Sequence, residues 1–372
     1  MTRFSIDVEP GRPAATVEVG AGIAGSAGDV ARRLRPSATR AFVVTDATVE
    51  ELHVPMVERA LRGAGLTTTV HAFPPGERHK TPETLVSIVR AMVRSGLGRG
   101  DLVVAVGGGV VGDVAGLAAA VFMRGVAWMA IPTTLLAQVD ASVGGKTAVD
   151  LPEGKNLFGV FHVPEAVLVD PALLSTLPEP EWICGRAEMV KHGLLFDPDH
   201  LGALRRVLGT PAERDPGVLA PLVARQIELK LGCIRGDLRE SAPIRGGRAL
   251  LNLGHTVAHA FETLSGHTLR HGEAVARGLV AAARISERLG VASPGFEAEV
   301  REVLEAVRLP VDLDGMLARY DDEALADALS SDKKRQGTTI PYIVLRGIGR
   351  PDVVALPPGR IVDLLRGPAS AR

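Results

Sequence analysis

Two hydrophobic periods alternate along the first 170 residues. Short apolar runs at 40–46 (RAFVVTD), 67–73 (TTTVHAF), 102–106 (LVVAV) and 126–131 (VAWMAI) read as strands. Between them, 49–65, 81–97 and 111–122 carry apolar residues at helical spacing, and Thr81 ahead of Glu83 and Thr84 marks a helix start. Such alternation predicts a mostly parallel sheet covered by helices. Beyond Pro178 the pattern is helical, at 179–195, 217–237, 248–264, 271–289 and 294–307, with one late strand-like run, TIPYIVL, at 339–345. The expected organisation is an α/β nucleotide-binding domain at 1–178 and a mostly α-helical domain at 179–372, ending in a frayed RGPASAR tail.

Composition narrows the function classes. The 372 residues are 46% hydrophobic, enough for a large core. Lys plus Arg (42) balance Asp plus Glu (43), so no broad field favours nucleic acid or an anionic membrane. No apolar run is long enough to predict a signal peptide or a membrane span, and a cytoplasmic location is the expectation. Cys184 and Cys233 form no C-x-x-C pair and are expected as reduced thiols.

The run LVVAV leads into GGGVVGDVAG, where Gly107, Gly109 and Gly112 satisfy G-x-G-x-x-G. Glycines between a strand and a helix let backbone N–H groups approach a pyrophosphate, although a tight turn alone also explains them. The standard fingerprint places an acid about 20 residues further on. Here position 132 is Pro and the next acid after it is Asp140, which leaves Asp46, at an earlier strand end, as the candidate ribose partner. Strand ends of a parallel sheet converge on one crevice, so Asp46, Lys80, Gly108 and Thr133 are expected to share a ligand.

Two further stretches carry polar groups that need a role. The Gly-rich segment 132–156 is read as a long functional loop with Asp140, Lys146, Lys155 and Asn156. On a helix over 248–262, Arg248, Asn252, His255, His259 and Glu262 fall on one face of an otherwise apolar surface. A solvent-facing stripe would favour Lys and Glu over Asn and two His, so a buried site is predicted. Glu188 and a subset of His192, His255, His259, His267 and His271 offer the donors of an open three-ligand zinc site, and spacing does not choose among them. Arg124, Lys146, Lys191, Lys230, Arg248, Lys333 and Lys334 sit largely in small-residue motifs, as groups for a phosphate and a carboxylate would.

Taken together, PPGERHK, GGGVVGDVAG, FMRG, PTTLLAQVDASVGGKTAV, GKNLFGVFHVP, LSTLP, GRAEMVKHG, LNLGHTVAHAFE, HGEAVARG and SDKKRQG resemble, in order from about 74 to 337, the 3-dehydroquinate synthase family of sugar-phosphate cyclases. The resemblance implies an NAD-binding α/β domain, an α-helical metal- and substrate-binding domain, and a homodimer. It implies conversion of 3-deoxy-D-arabino-heptulosonate 7-phosphate to 3-dehydroquinate and phosphate in the shikimate pathway, with recycled NAD and a zinc or cobalt ion. The family's metal ligands fall on Glu188, His255 and His271. Its phosphate- and carboxylate-binding groups fall on Arg124, Lys146, Lys191, Lys230, Arg248, Asn252, His259 and Lys333, with Arg124 reaching into the neighbouring subunit's site. Its NAD contacts fall on Asp46, Glu77, Lys80 and the turn Gly108, Gly109, Val110, Val111, Gly112 and Asp113. Further NAD contacts fall on Thr133, Thr134, Asp140, Lys146, Lys155, Asn156 and Thr176.

The chain departs from the family pattern in a longer segment between Lys230 and Arg248, and at Val163, Pro180, Leu238 and Ala258, none of which removes a proposed ligand. The rival readings are another cyclase, of the deoxy-scyllo-inosose, valiolone or aminodehydroquinate type, and a metal-dependent polyol dehydrogenase. Asn252 ahead of LGHT, where inosose synthases tend to carry Glu, and the intact VDASVGGK favour the dehydroquinate reading. The many phosphate-directed cations disfavour a dehydrogenase. A non-catalytic nucleotide-binding protein would lack at least one of these groups, and none is missing.

Overall fold

The structure is a computed structural model and describes residues 1–6, 15–234, 247–266, 268–330 and 338–367. By internal contacts the chain divides into two units, Met1–Pro178 with Arg214–Leu231, and Glu179–Glu213 with Gly232–Arg372. The segment Arg214–Leu231 therefore groups with the α/β unit, whereas the sequence pattern assigns it to the helical half.

The first unit runs β1 (Thr2–Ile6), β2 (Ala15–Val19), α1 (Ala27–Leu34), β3 (Arg40–Asp46), α2 (Ala47–Leu52), α3 (Val54–Gly63) and β4 (Thr67–Phe73). It continues through α4 (Pro82–Arg94), β5 (Leu102–Gly107), α5 (Gly109–Val121), β6 (Ala127–Pro132), β7 (Lys146–Leu151), β8 (Gly154–Phe161) and β9 (Ala166–Val169). The main sheet has the order β1-β2-β9-β6-β5-β3-β4, parallel except for β1 against β2. β5, β6 and β9 are buried throughout, which explains their uninterrupted apolar runs: a parallel sheet is covered on both faces. Val44 pairs with Ala105 and Gly107 with Pro132, so the C-terminal ends of β3, β5 and β6 are level. The chain order reverses between β3 and β5, the position at which open α/β sheets form a ligand crevice.

Two expectations for this unit change. The helix predicted over 49–65 is broken at His53, because Pro55 lacks the N–H that a continuous helix needs. The loop predicted over 132–156 instead holds a π-turn at Ala137–Ala141 and then the β7–β8 hairpin. Its glycines and lysines mask a strand pattern that a register shift between Val149 and Leu151 also interrupts.

The second unit contributes α6 (Glu179–Phe196) and α7 (Pro198–Val207), and α8 (Pro216–Ile234) crosses from the first unit into it. Then follow α9 (His255–Leu264), α10 (His271–Arg288), α11 (Phe296–Ala306), α12 (Leu313–Leu317), α13 (Asp322–Ser330), β10 (Ile340–Leu345), β11 (Pro351–Leu356) and α14 (Pro358–Arg366). α10 is buried along most of its length and packs on α6, α9, α11, α14 and β10. Arg284 fixes its far end, donating to Glu297 on α11, Asp314 on α12 and the Leu365 carbonyl on α14. The late strand is present and pairs antiparallel with β11.

The helix predicted over 248–264 is two pieces. Residues Gly247–Asn252 form a 3-10 turn, and α9 begins at His255 after Gly254 at φ 76°. That left-handed residue ends the first turn, so Arg248 and Asn252 leave the helical face they were predicted to share with His255, His259 and Glu262.

Candidate active site

In the first unit the level strand ends gather most of the residues that sequence reading nominates for a nucleotide. Asp46, ending β3, caps α2 by accepting from the backbone N–H groups of Thr48 and Val49 at 2.9 and 3.1 Å. Gly108 caps α5, whose first turn presents Gly109 to Asp113, and the Thr133 N–H donates to the Gly107 carbonyl at 2.9 Å. A concave site here is lined by Gly107, Gly108, Gly109, Gly112, Asp113, Pro132, Ser142 and Lys146. Thr133 Oγ1, next to the lining residue Pro132 in the chain, is buried without a hydrogen-bond partner.

Lys80 joins three segments around this turn. Its buried ammonium lies 2.7 Å from Asp113 Oδ2 and 2.5 Å from Asn156 Oδ1, with Glu77 Oε1 at 3.9 Å. Burial alone would lower the Lys80 pKa, but Asp113 and Glu77 raise it. Burial pushes Asp113 up to about 6 against the pull of Lys80. Asn156 sits at φ 56°, and its N–H donates to Asp150 Oδ1, which anchors it in the hairpin. Lys155 lies 4.0 Å from Glu77. Asp140 lies in the π-turn, a feature frequent at functional sites, and faces Lys230 Nζ at 2.5 Å. Thr176 Oγ1 bonds His53 Nε2 at 2.9 Å. Arg124 is exposed on a left-handed kink, with φ 48° at Met123 and 68° at Arg124.

The second unit brings Glu188, His255 and His271 together from α6, α9 and α10. Glu188 Oε1 is 3.4 Å from both His255 Nε2 and His271 Nε2, and one donor atom from each residue lies within 4.8 Å of the others. In a tetrahedral site with bonds of about 2.1 Å, donors lie about 3.4 Å apart, so the spacing is that of a coordination edge. Glu188 is fully buried, and neither carboxylate oxygen has a hydrogen bond of sound geometry. A buried carboxylate left so is costly unless a cation completes it. The Lys191 ammonium, one turn along α6, forms an ion pair with it. Despite burial, Lys191 and His255 hold the Glu188 carboxyl well below its usual range. Burial, then Lys191, lowers His255. His271 resists its burial and rises to about 10 between Glu188 and Glu262. Two imidazoles and one carboxylate fit a divalent cation of the zinc or cobalt kind.

Close helix contact makes this convergence possible. A Cβ at Gly272 would come 2.3 Å from the Cys184 Cα on α6, so the start of α10, and His271 with it, lies directly on α6. Of the other histidines, His259 is exposed and sets its ring edge-on to His255 at 5.5 Å, and His192 is buried beside Phe196. Arg248 is buried, and Asn252 Nδ2 donates to the Ala249 carbonyl. His267, Lys333 and Lys334 lie outside the described residues. Sequence reading placed Glu262 on the polar stripe with His255 but gave it no role of its own, and it did not single out His53, the partner of Thr176. No helix among the described residues is long and apolar enough to cross a membrane.

An α/β unit with a glycine turn at a helix start and a helical unit with three converging metal-type donors have the features of two-part, metal-dependent nucleotide enzymes. Residues 70–184 match the N-terminal model of 3-dehydroquinate synthase, and 185–335 match its C-terminal model. The chain is 42% identical over 342 residues to the 3-dehydroquinate synthase of Geobacter metallireducens, covering 92% of each. A solved 2-deoxy-scyllo-inosose synthase, complexed with carbaglucose-6-phosphate, NAD+ and Co2+, superposes with a TM-score of 0.86 at 25% identity, over 98% of this chain and 99% of that one. The 2-epi-5-epi-valiolone synthase of Streptomyces hygroscopicus, with NAD+ and Zn2+ bound, gives 0.83 at 25% identity over 97% and 98%. The chain belongs to the 3-dehydroquinate synthase family, lyases of the shikimate pathway.

Proposed function

We propose that this chain converts 3-deoxy-D-arabino-heptulosonate 7-phosphate to 3-dehydroquinate and phosphate, with NAD regenerated in each cycle and a zinc or cobalt ion retained. The observation that carries the reading is the convergence of Glu188 Oε1 with Nε2 of His255 and of His271, each 3.4 Å away.

Glu188, His255 and His271 hold the cation. When bound, it supplies Lewis acidity to adjacent substrate hydroxyls. The turn from Gly108 to Asp113, with Asp46, Glu77, Lys80, Thr133, Thr134, Asp140, Lys146, Lys155, Asn156 and Thr176, holds NAD. When bound, NAD supplies a reversible hydride acceptor. The α5 N-terminus and its N–H groups take the pyrophosphate. Lys146, Lys191, Lys230, Arg248, Asn252 and His259 are the groups for the substrate's phosphate and carboxylate, with Lys333 as a further cation. Their contribution is orientation and charge stabilisation as phosphate departs.

The chain acts as a homodimer in this reading. Strand β8 is the edge of a two-stranded sheet and exposes Leu157, Phe158, Val160 and Phe161, an apolar edge that a second copy would cover. Arg124, on its left-handed kink, is the residue assigned to the neighbour's site.

The test is incubation of cobalt-loaded protein with the heptulosonate phosphate and catalytic NAD. Phosphate release with a dehydroquinate product and no accumulating NADH is expected. Stoichiometric NADH would instead make the protein a dehydrogenase.

A further inference from the structure

His271 is the first residue of α10 and the more exposed of the two histidines beside Glu188, with 34% of its side chain accessible against 10% for His255. The two imidazoles are held differently. The His255 Nδ1–H donates to the Leu253 carbonyl at 3.0 Å, within its own chain turn. The His271 Nδ1–H donates to Glu262 Oε1 at 2.9 Å, across from α10 to α9. Glu262 is buried and stands seven residues after His255 on α9, so one helix face carries both the second histidine and the carboxylate that grips the third donor's ring. With Nδ1 engaged, His271 turns Nε2 to within 3.4 Å of Glu188 Oε1.

We propose that Glu262 is a positioning residue, fixing the ring and tautomer of His271 so that Nε2 faces the point shared with Glu188 and His255. This rests on the metal reading above. A carboxylate behind a ligating imidazole also makes its other nitrogen a stronger donor, and loss of such a partner typically costs about 10–100-fold in metal affinity. Behind His255 stands a neutral carbonyl, that of Leu253, so the carboxylate's effect concentrates on His271.

The experiment uses the full chain with Co2+ as the probe, comparing wild type, Glu262→Ala and Glu262→Gln. Cobalt affinity is measured by chelator competition and coordination by visible d–d absorption. The alanine variant is expected to lose about 10–100-fold in affinity. The glutamine variant keeps the length and one acceptor oxygen, and is expected to fold with a metal-free melting temperature near wild type, shift the cobalt bands and bind more weakly. It decides the matter if the alanine variant does not fold. Wild-type cobalt affinity and spectrum in Glu262→Gln, even with lowered thermal stability, would reduce Glu262 to a packing role and overturn the proposal. Failure of the wild-type chain to bind cobalt would overturn the metal reading itself, and this inference with it.

Discussion

Gly278 on α10 faces Gly254 at the start of α9 so closely that a methyl group at 278 would come 2.1 Å from the Gly254 carbonyl oxygen. One at Gly254 would in turn come 2.8 Å from the backbone nitrogen of Leu279. Two helices thus cross backbone to backbone, and His255, the residue after Gly254, is held against the helix that His271 begins. Gly278→Ala is expected to push α9 away, at a cost of about 1–3 kcal/mol in folding stability. Bound metal per chain should fall with it, and unchanged metal content and unfolding midpoint would sink the argument.

Glu188→Gln preserves shape and removes the buried charge between Lys191 and the two imidazoles. Elemental analysis should find the purified variant without its divalent ion. Turnover should drop at least about a hundredfold, beyond what loss of an outer partner costs. Retained metal would show that the carboxylate is not a ligand.

The Lys80–Asp113 pair predicts a pH dependence for nucleotide binding. The ordinary Asp value is 3.8, and in the fold Asp113 rises to about 6, so the carboxylate is ionised above that pH and protonated below it. As pH falls through about 6 the ion pair that ties Lys80 to α5 is lost. NAD affinity, followed by fluorescence titration, is expected to weaken by up to about tenfold per pH unit there, the limit for one proton. Asp113→Asn should bind NAD more weakly at pH 7.5 and show a flat profile between pH 5 and 7.5. A sloping profile in that variant would assign the effect elsewhere.

Asp101 is a purely structural counterpart. Nearly buried, it accepts from the backbone N–H groups of Gly98, Thr39 and Arg40 at 2.8, 2.9 and 2.9 Å. Burial raises its pKa, but these donors outweigh it and hold the group below 3.8. A depressed carboxylate stabilises the fold above its unfolded value and loses that contribution as pH falls through the folded one. Asp101→Ala should therefore cost about 2 kcal/mol or more at pH 7 in denaturant unfolding. The gap should narrow below pH 3.8, whereas a gap independent of pH would contradict the charge argument.

The exposed β8 edge gives a prediction about assembly. Phe158→Glu combined with Phe161→Glu should convert a dimer to a monomer in light scattering, with the first unit still folded. A variant that stays dimeric would place the interface elsewhere on the surface.

Much of the α/β unit was legible because buried parallel strands print uninterrupted apolar runs such as LVVAV ahead of the glycine turn. The hairpin at 146–161 was not, since Lys146, Gly154, Lys155 and Asn156 carry the composition of a loop while cross-strand pairing makes them strands. The helix over 248–264 was misread because Gly254 lies inside an apolar run, and only its φ of 76° reveals the break. The candidate cation site shows where local pattern ends. Glu188 stands 67 residues ahead of His255 and 83 ahead of His271, and no helical period links such distances. Resemblance to a family nominated the three, whereas the contacts at Gly254, Gly272 and Gly278 are tertiary.

Helix α8 through Leu231 belongs to the sheet-bearing unit although the chain has already built α6 and α7 of the other. A cut after Pro178 would therefore release a half deprived of its own returning helix, with Asp140 stripped of Lys230. Such a fragment is expected to be sticky and incomplete, and the ribosome must make more than 200 residues before the first unit can close. Dissecting this protein into autonomous halves calls for a graft of 214–231, not a single cleavage.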